Sequence, residues 1–359
     1  MRRMRRFVVV GALVAAVALV LGAFPGEFVR ARDDAMWPAL RAGEVAYVRP
    51  ASTATKERPL ARGALVAVRD DDGAASFGRI VGHAGETLRL AGGELLLGDA
   101  PLVVPFDEQA WIPWSDTARE ATNWAWLGLD DWRREEGGWS GDAEAPALRL
   151  APLDDGWLRD DGTREAGRAS TASSRVALRV LWSRPQSQLV VELRDGGAVV
   201  QFVVERAGAK VSNAVKLLES RGEEVERGLG YADQEGLPEG AFEQEWLFEA
   251  RAGWAQVRVD GEHYMSVPFP REGVAPAYAP RALVRFGAGG ATLARLATWR
   301  APAWRDEGAA LRVAPSHALV LADAPAAAAA WSSCQRPLDR ILGRPVAVVW
   351  PPSGWRFLP

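Results

Sequence analysis

A rhythm of short segments constrains this chain more than any other feature: pieces rich in Val and Leu, each bounded by Gly, Pro or Asp and too short for a globular helix. Val45 to Val48, Ala64 to Arg69, and Thr87 to Leu90 with Glu94 to Leu97 around Gly92-Gly93 follow this rule. So do Arg175 to Trp182, Gln188 to Arg194, Ala198 to Glu205, Glu245 to Ala250, Ala255 to Val259 and Ala282 to Phe286. Such pieces read as strands. The stretch from Trp254 ends in Asp260-Gly261, the signature of a two-residue hairpin. Between Glu108 and Gly308 only Val211 to Ser220 reads as helical. The expected class is therefore mainly β, and 359 residues of which 48% are hydrophobic suffice for two compact domains.

Ahead of the strands lies an uncharged apolar run of 18 residues, Phe7 to Phe24, preceded by Arg2, Arg3, Arg5 and Arg6. As a helix it would be roughly 27 Å long at about 1.5 Å per residue, just enough to cross a hydrocarbon core. The positive-inside bias would keep residues 1–6 cytoplasmic. Everything after Pro25 would then lie on the outer, periplasmic or extracytoplasmic, side of an inner or plasma membrane, with membrane lipid as a partner. A cleaved signal peptide has the same charged and apolar regions, and Gly22 and Ala23 are small enough to precede a cut. A net charge of −3, with no basic run beyond the N-terminus, gives no electrostatic reason to expect nucleic acid. The single cysteine, Cys334, excludes an internal disulfide and a thiolate zinc cage.

Several motifs share one resemblance. Asp33-Asp34-Ala35-Met36-Trp37-Pro38-Ala39-Leu40, followed by Gly43 and a strand from Glu44 to Val48, resembles the first motif of the type I signal peptidases, membrane-anchored Ser-Lys peptidases. There a membrane helix leads to Ser-x-Ser-Met-x-Pro-Thr-Leu, a Gly-Asp turn and a strand. Met36, Pro38, Leu40 and Gly43 match. Gly63 to Asp70 resembles the family's Gly-Asp-strand-Arg-Asp segment, with Ala64 in the acidic place. Phe77 to Glu86 resembles Val-Lys-Arg-Val-Ile-Gly-x-Pro-Gly-Asp, matching at Arg79, Gly82 and Gly85. Gly98 to Leu102 is similar to Asn-Gly-x-Pro-Leu, Val313 to Asp323 to the strand leading into Gly-Asp-Asn, and Ile341 to Pro352 to the closing strand and its Trp-Pro-Pro end. Ala324 to Ser333 stands where the family has a polar Asn-Ser-x-Asp-Ser-Arg box.

The resemblance implies a cytoplasmic tail (1–6), a transmembrane helix (7–24) and a signal-peptidase-like β core made of residues 25–107 and 309–359. It also favours a retained anchor, because the first motif follows the span at the family's distance. Residues 108–308 have no counterpart in a minimal member and read as an inserted domain. Their many short strands suggest a β-sandwich, loosely similar to the lectin-like concanavalin sandwiches. Six tryptophans crowd its start (Trp111, Trp114, Trp124, Trp126, Trp132, Trp139) and fit either a core or sugar stacking, with core favoured.

The family's acyl transfer needs a hydroxyl nucleophile, an uncharged amine as base and donors for the oxyanion. By the resemblance these positions hold Ala35, Gly78 and Asp33. Alanine has nothing to attack with, glycine no amine, and the neighbouring Arg79 stays protonated at physiological pH. A carboxylate about 4 Å from a developing oxyanion repels it by about 4 kcal/mol at an effective dielectric near 20. The expectation is a pseudo-peptidase that keeps a groove for an extended peptide held by strand addition, with Asp34, Met36, Pro38, Arg79, Val81 and Gly82 as candidate lining. Its partners would be secretory precursor peptides or a companion peptidase.

Two alternatives stand beside it. One is an active peptidase whose chemistry has moved to Ser76, His83, His317 or Lys56. The other is a surface module whose insert binds carbohydrate. No cofactor or metal is expected, since Asp70-Asp71-Asp72 reads as a solvated turn without calcium-loop spacing.

Overall fold

A computed structural model of the chain describes residues 26–34, 36, 39–50, 60–91, 94–98, 100–102, 112–118, 125–135, 138–141, 144–151, 157–158, 164–165, 174–220, 223–251, 253–270, 282–287, 289–300, 310–323 and 334–358. The apolar run at 7–24, Ala35, Pro38, Lys56 and the Gly92-Gly93 turn lie outside them. Among the described residues no helix is long and apolar enough to cross a membrane.

The chain is mainly β. Its first strands are β1 (Glu27–Arg30), β2 (Val45–Pro50), β3 (Leu65–Arg69), β4 (Ala75–Gly82) and β5 (Thr87–Ala91). The middle holds β6 (Ser174–Trp182), β7 (Gln186–Asp195), β8 (Ala198–Ala207), β9 (Lys210–Ser220), β10 (Glu223–Gln234), β11 (Phe242–Arg251), β12 (Trp254–Val259), β13 (Glu262–Pro268), β14 (Ala282–Phe286) and β15 (Ala291–Arg300). The chain closes with β16 (His317–Leu321), β17 (Gln335–Pro337), β18 (Ile341–Trp350) and β19 (Arg356–Phe357). Two compact units emerge, one made of Met1–Leu88, Val104–Gln109 and Ala309–Pro359, the other of Arg89–Val103 and Ala110–Gly308.

The first unit is a sheet in the order β1-β2-β18-β3-β4-β16-β17, with β19 also on β18. Each of its faces carries a buried cluster. Met36, Leu40, Ala46, Leu65 and Val348 pack on one face, with Phe77 against them. Val66, Val68, Ile80, Ala318, Val320 and Ile341 pack on the other. Alternation along β3 sends Leu65 and Ala67 one way and Val66 and Val68 the other, so a strand buried on both sides reads as an unbroken apolar run.

The second unit is sandwich-like. One sheet contains β15-β6-β11-β12-β13 and the other β10-β9-β8-β7-β14, each continued by shorter strands. A single core lies between them, built from Leu189, Val191 and Leu193 of β7, Val200, Phe202 and Val204 of β8, Val176, Leu178 and Val180 of β6, and Trp246 and Phe248 of β11. Trp114, Trp126, Trp132 and Trp182 are buried in it as well, which assigns these tryptophans to packing. Asp260 and Gly261 take φ of +51° and +84° between the paired Val259 and Glu262, the two-residue turn that the Asp-Gly pair requires.

The helix expected at Val211 to Ser220 is a strand. Val211, Asn213, Val215 and Leu217 are buried in alternation, a period of two that the spaced valines and leucines disguise as a helical stripe. At one end of the sandwich the buried Arg206 donates to the carbonyls of Trp182, Gly208, Pro238, Glu239 and Gly240, fixing the loop before β11.

Candidate functional site

After β1 the chain doubles back into β2. Ala31 donates to the Glu44 carbonyl and accepts from the Gly43 N–H, each at 2.8 Å. Gly43 sits at φ +84°, a conformation that favours glycine. Inside the loop, Leu40 N–H donates to Met36 O at 2.9 Å, and Asp34 Oδ1 accepts from Ala42 N–H at 2.8 Å. Asp34 thus braces the loop, Met36 and Leu40 anchor it in the core, and Asp33 is exposed. Arg356 ties the loop to the C-terminal segment through Glu44, at 2.7 and 2.8 Å, and the Ala39 carbonyl at 2.7 Å.

Gly78, the position that the resemblance assigns to a base, has closed surroundings. A Cβ there would stand 2.5 Å from Val320 Cγ1 and 3.2 Å from Leu321 O of β16. Alternation along β4 directs it to the Val320 face, while Phe77, on the opposite face, meets the core around Met36. Arg79 is fully buried and gives its Nε to both oxygens of Asp323, at 2.9 and 2.7 Å, and Nη1 to the Gly63 carbonyl at 3.0 Å. This joins the two matched segments 244 residues apart in sequence. Val81 is buried. Gly82 has no room for a side chain, since a Cβ would meet Leu88 Cδ1 at 2.3 Å.

Beyond β4 the chain turns at His83 to Glu86, closed by Glu86 N–H on His83 O at 3.1 Å with Gly85 at φ +84°. Glu86 accepts from His83 N–H at 2.8 Å and pairs with Arg62 at 2.7 Å, and Arg62 also donates to the Val81 carbonyl. Burial pushes the Glu86 carboxyl up, but its hydrogen bonds from Arg62 and the His83 N–H outweigh this and leave it lowered. Burial, then the Arg62 charge, depress the His83 imidazole against the opposing pull of Glu86.

The candidates for a relocated site are dispersed. Ser76 donates to Asp70 at 3.2 Å, and Arg336 stands 3.5 Å from the same carboxylate. Ser76 lies near the start of β4 and His83 just past its end, about 23 Å apart along an extended chain at about 3.3 Å per residue. The His317 ring nitrogen Nδ1 is 2.9 Å from the Pro315 carbonyl, and Cys334 is half-buried. Among the described residues no group of His, Cys, Asp and Glu forms a metal centre.

The described candidates for a peptide groove do not line an open cavity that this unit carries along β1. That cavity, of about 560 Å³, is lined by Glu27 to Arg32, Gly43, Arg69, Ala74 and Ala75. β1 is an edge strand of its sheet. Its position was concealed in the sequence between the apolar run and the first motif. In the second unit a hollow of about 480 Å³ is lined by Arg179, Glu243, Gln244, Glu245, Asp260 and Gly261, with no aromatic side chain.

No family model matches the chain, and no curated protein matches it. Among solved structures, galectin LEC-6 of Caenorhabditis elegans is similar over 46% of this chain and 98% of its own, at 11% identity and a TM-score of 0.27. The CBM2 module of the evolved Dit of Lactobacillus casei BL23 phage J-1 is similar over 54% and 99%, at 9% identity and a TM-score of 0.34. The kappa-carrageenase of Pseudoalteromonas carrageenovora, solved with an oligotetrasaccharide of kappa-carrageenan, is similar over 55% and 97%, at 11% identity and a TM-score of 0.29. Likenesses of this size have no bearing on what the chain binds.

Proposed function

We propose that the first unit is a signal-peptidase-like core, anchored in a membrane by residues 7–24 and facing outward, that has lost its dyad and binds extended peptides without cutting them. The observation that carries this reading is Gly78. The place assigned to the base is filled from the neighbouring strand, so a side chain there would collide with Val320 before any amine could reach a nucleophile. A vacant position could be refilled by one substitution, whereas this one is packed shut. The matched residues that remain, Arg79, Gly82 and Gly85, serve the fold: an internal ion pair, a close approach and a turn. What survives for function is the exposed edge of β1 beside a groove, the geometry in which a peptide adds as a further strand.

The test uses the intact protein in neutral detergent. A secretory precursor with a small-x-small site should remain uncut. A fluorescent Ala- and Val-rich decapeptide should bind, and methylation of its alternate backbone nitrogens should abolish binding by removing the ladder donors. Cleavage lost on changing Ser76 or His83 would instead establish a relocated active site.

A further inference from the structure

The second unit encloses a polar layer in the middle of its apolar core. Among the inward positions of β9, between Val211 and Val215, stands Asn213, which is 0% exposed. Neither its amide nitrogen nor its amide oxygen has a hydrogen-bond partner among the described residues. On β11, in the facing sheet, Gln244 and Trp246 are also buried, and Gln244 Oε1 and Trp246 Nε1 are unpartnered among the same residues. Such groups are rare in folded proteins, because they give up their bonds to water on folding and regain none.

Two contacts between the sheets fix how these residues face one another. At one end Gln244 Nε2 donates to Gln234 Oε1 at 3.2 Å, and Gln234 of β10 stands opposite Val211 of β9. At the other end the Phe248 and Phe202 rings are 5.2 Å apart, and Phe202 of β8 stands opposite Val215 of β9. Between Gln244 and Phe248, β11 therefore passes from above β10 to above β8, and it crosses β9 halfway. The midpoint on β11 is Trp246 and the midpoint on β9 is Asn213, both pointing inward, so the indole and the amide share one layer.

A third strand closes the layer at its edge. The register of β12 on β13 shifts between Val257 and Arg258, which leaves Tyr264 as the extra residue of a bulge. Its ring meets the Trp246 ring edge-on, with centroids 5.8 Å apart and planes at 84°, and its buried hydroxyl is unpartnered among the described residues. Burial, then the Asp233 charge, pushes this phenol up to about 12, so it keeps its proton at neutral pH.

The chemistry of the set narrows what it can hold. Trp246 Nε1 only donates, Gln244 Oε1 only accepts, and Asn213 and Tyr264 do both. None of the four side chains is charged, so an ion placed here would lack a counter-charge. Within a core packed by aromatic rings, the molecule that is small enough and both donates and accepts is water.

We infer that ordered water is built into this layer and bridges the Asn213 amide to Trp246 Nε1 and Gln244 Oε1. A water that accepts from the indole and donates to either amide oxygen satisfies two stranded groups at once.

The experiment is a high-resolution crystal structure of the intact protein, with thermal melts of its variants. Water density is expected within about 2.7–3.2 Å of Trp246 Nε1 and of the Asn213 amide. Asn213→Leu, similar in size but unable to hydrogen-bond, should lower the melting temperature by about 2–4 °C, because the bridge loses its anchor and the indole is left unpaired. Trp246→Phe should then cost less in the Asn213→Leu background than alone, since its water partner is already gone. A structure in which the Asn213 amide bonds directly to Trp246, Gln244 or Tyr264 with no water between them would overturn the inference. So would a dry layer whose Asn213→Leu variant melts above the wild type. If the variants do not fold, the density in the wild type decides alone.

Discussion

Gly78 and Arg79 are adjacent on β4, and their surroundings give opposite lessons about the same motif. Arg79 and Asp323 are 1% and 0% exposed, and removing one partner of such a buried pair costs about 3–5 kcal/mol. Arg79 thus serves the stability of the fold, whatever chemistry the chain does or does not perform. Gly78 has only room enough for a hydrogen. Gly78→Ala should destabilise the fold by about 1–3 kcal/mol through overpacking against Val320. Adding Val320→Ala should recover part of the loss, which urea denaturation of the single and double variants will measure. Equal stability of Gly78→Ala and the wild type would mean that β16 yields easily and that the site is vacant instead of closed.

The turn between β4 and β5 links its elements to pH. The depressed His83 must stay neutral in the folded state, so stability falls as pH drops through its unfolded value of about 6.5 and stops falling below the folded one. The lowered Glu86 stabilises the fold above its unfolded value near 4.5, a contribution lost as pH falls further through its folded value. Melting temperature followed from pH 8 to 3 should therefore decline in two steps. His83→Gln should erase the first, and an unchanged profile in that variant would dismiss His83 as its source. At this same scale the sequence was legible where turn chemistry punctuated it, as at Asp260-Gly261, because a positive φ leaves few residue choices. It misled at β9, where valines and leucines buried on alternate positions also fit a helical stripe. It was silent about the groove, because an edge strand is defined by what does not pair with it, a property of the sheet and not of any local pattern.

Across the first unit as a whole, one face carries an aromatic row that the core does not use. Phe28, Tyr47, Ala347 and Phe357 stand opposite one another on β1, β2, β18 and β19, with Phe28 and Tyr47 rings 5.4 Å apart. Phe28 is 58% exposed and Phe357 88%, and Trp350 and Trp355 near the same end are 57% and 54% exposed. Gly26, two residues beyond the apolar run, lies against the Tyr47 ring. On the proposed anchored reading, the span therefore delivers this row directly to the bilayer surface, where the amphipathic rings of tryptophan are favoured. The span contains no tryptophan, so the indoles report on the chain beyond it. In vesicles made with brominated acyl chains, the intact protein should show partial quenching of its tryptophan fluorescence. Because Trp114, Trp126, Trp132, Trp182 and Trp246 are buried, while the exposed Trp254 belongs to the second unit, replacing Trp350 and Trp355 together by alanine should remove the part of the quenching that this face contributes. Quenching as strong in the double variant as in the wild type would place the lipid contact elsewhere, and a wild type that is not quenched would mean that this face meets water or a protein.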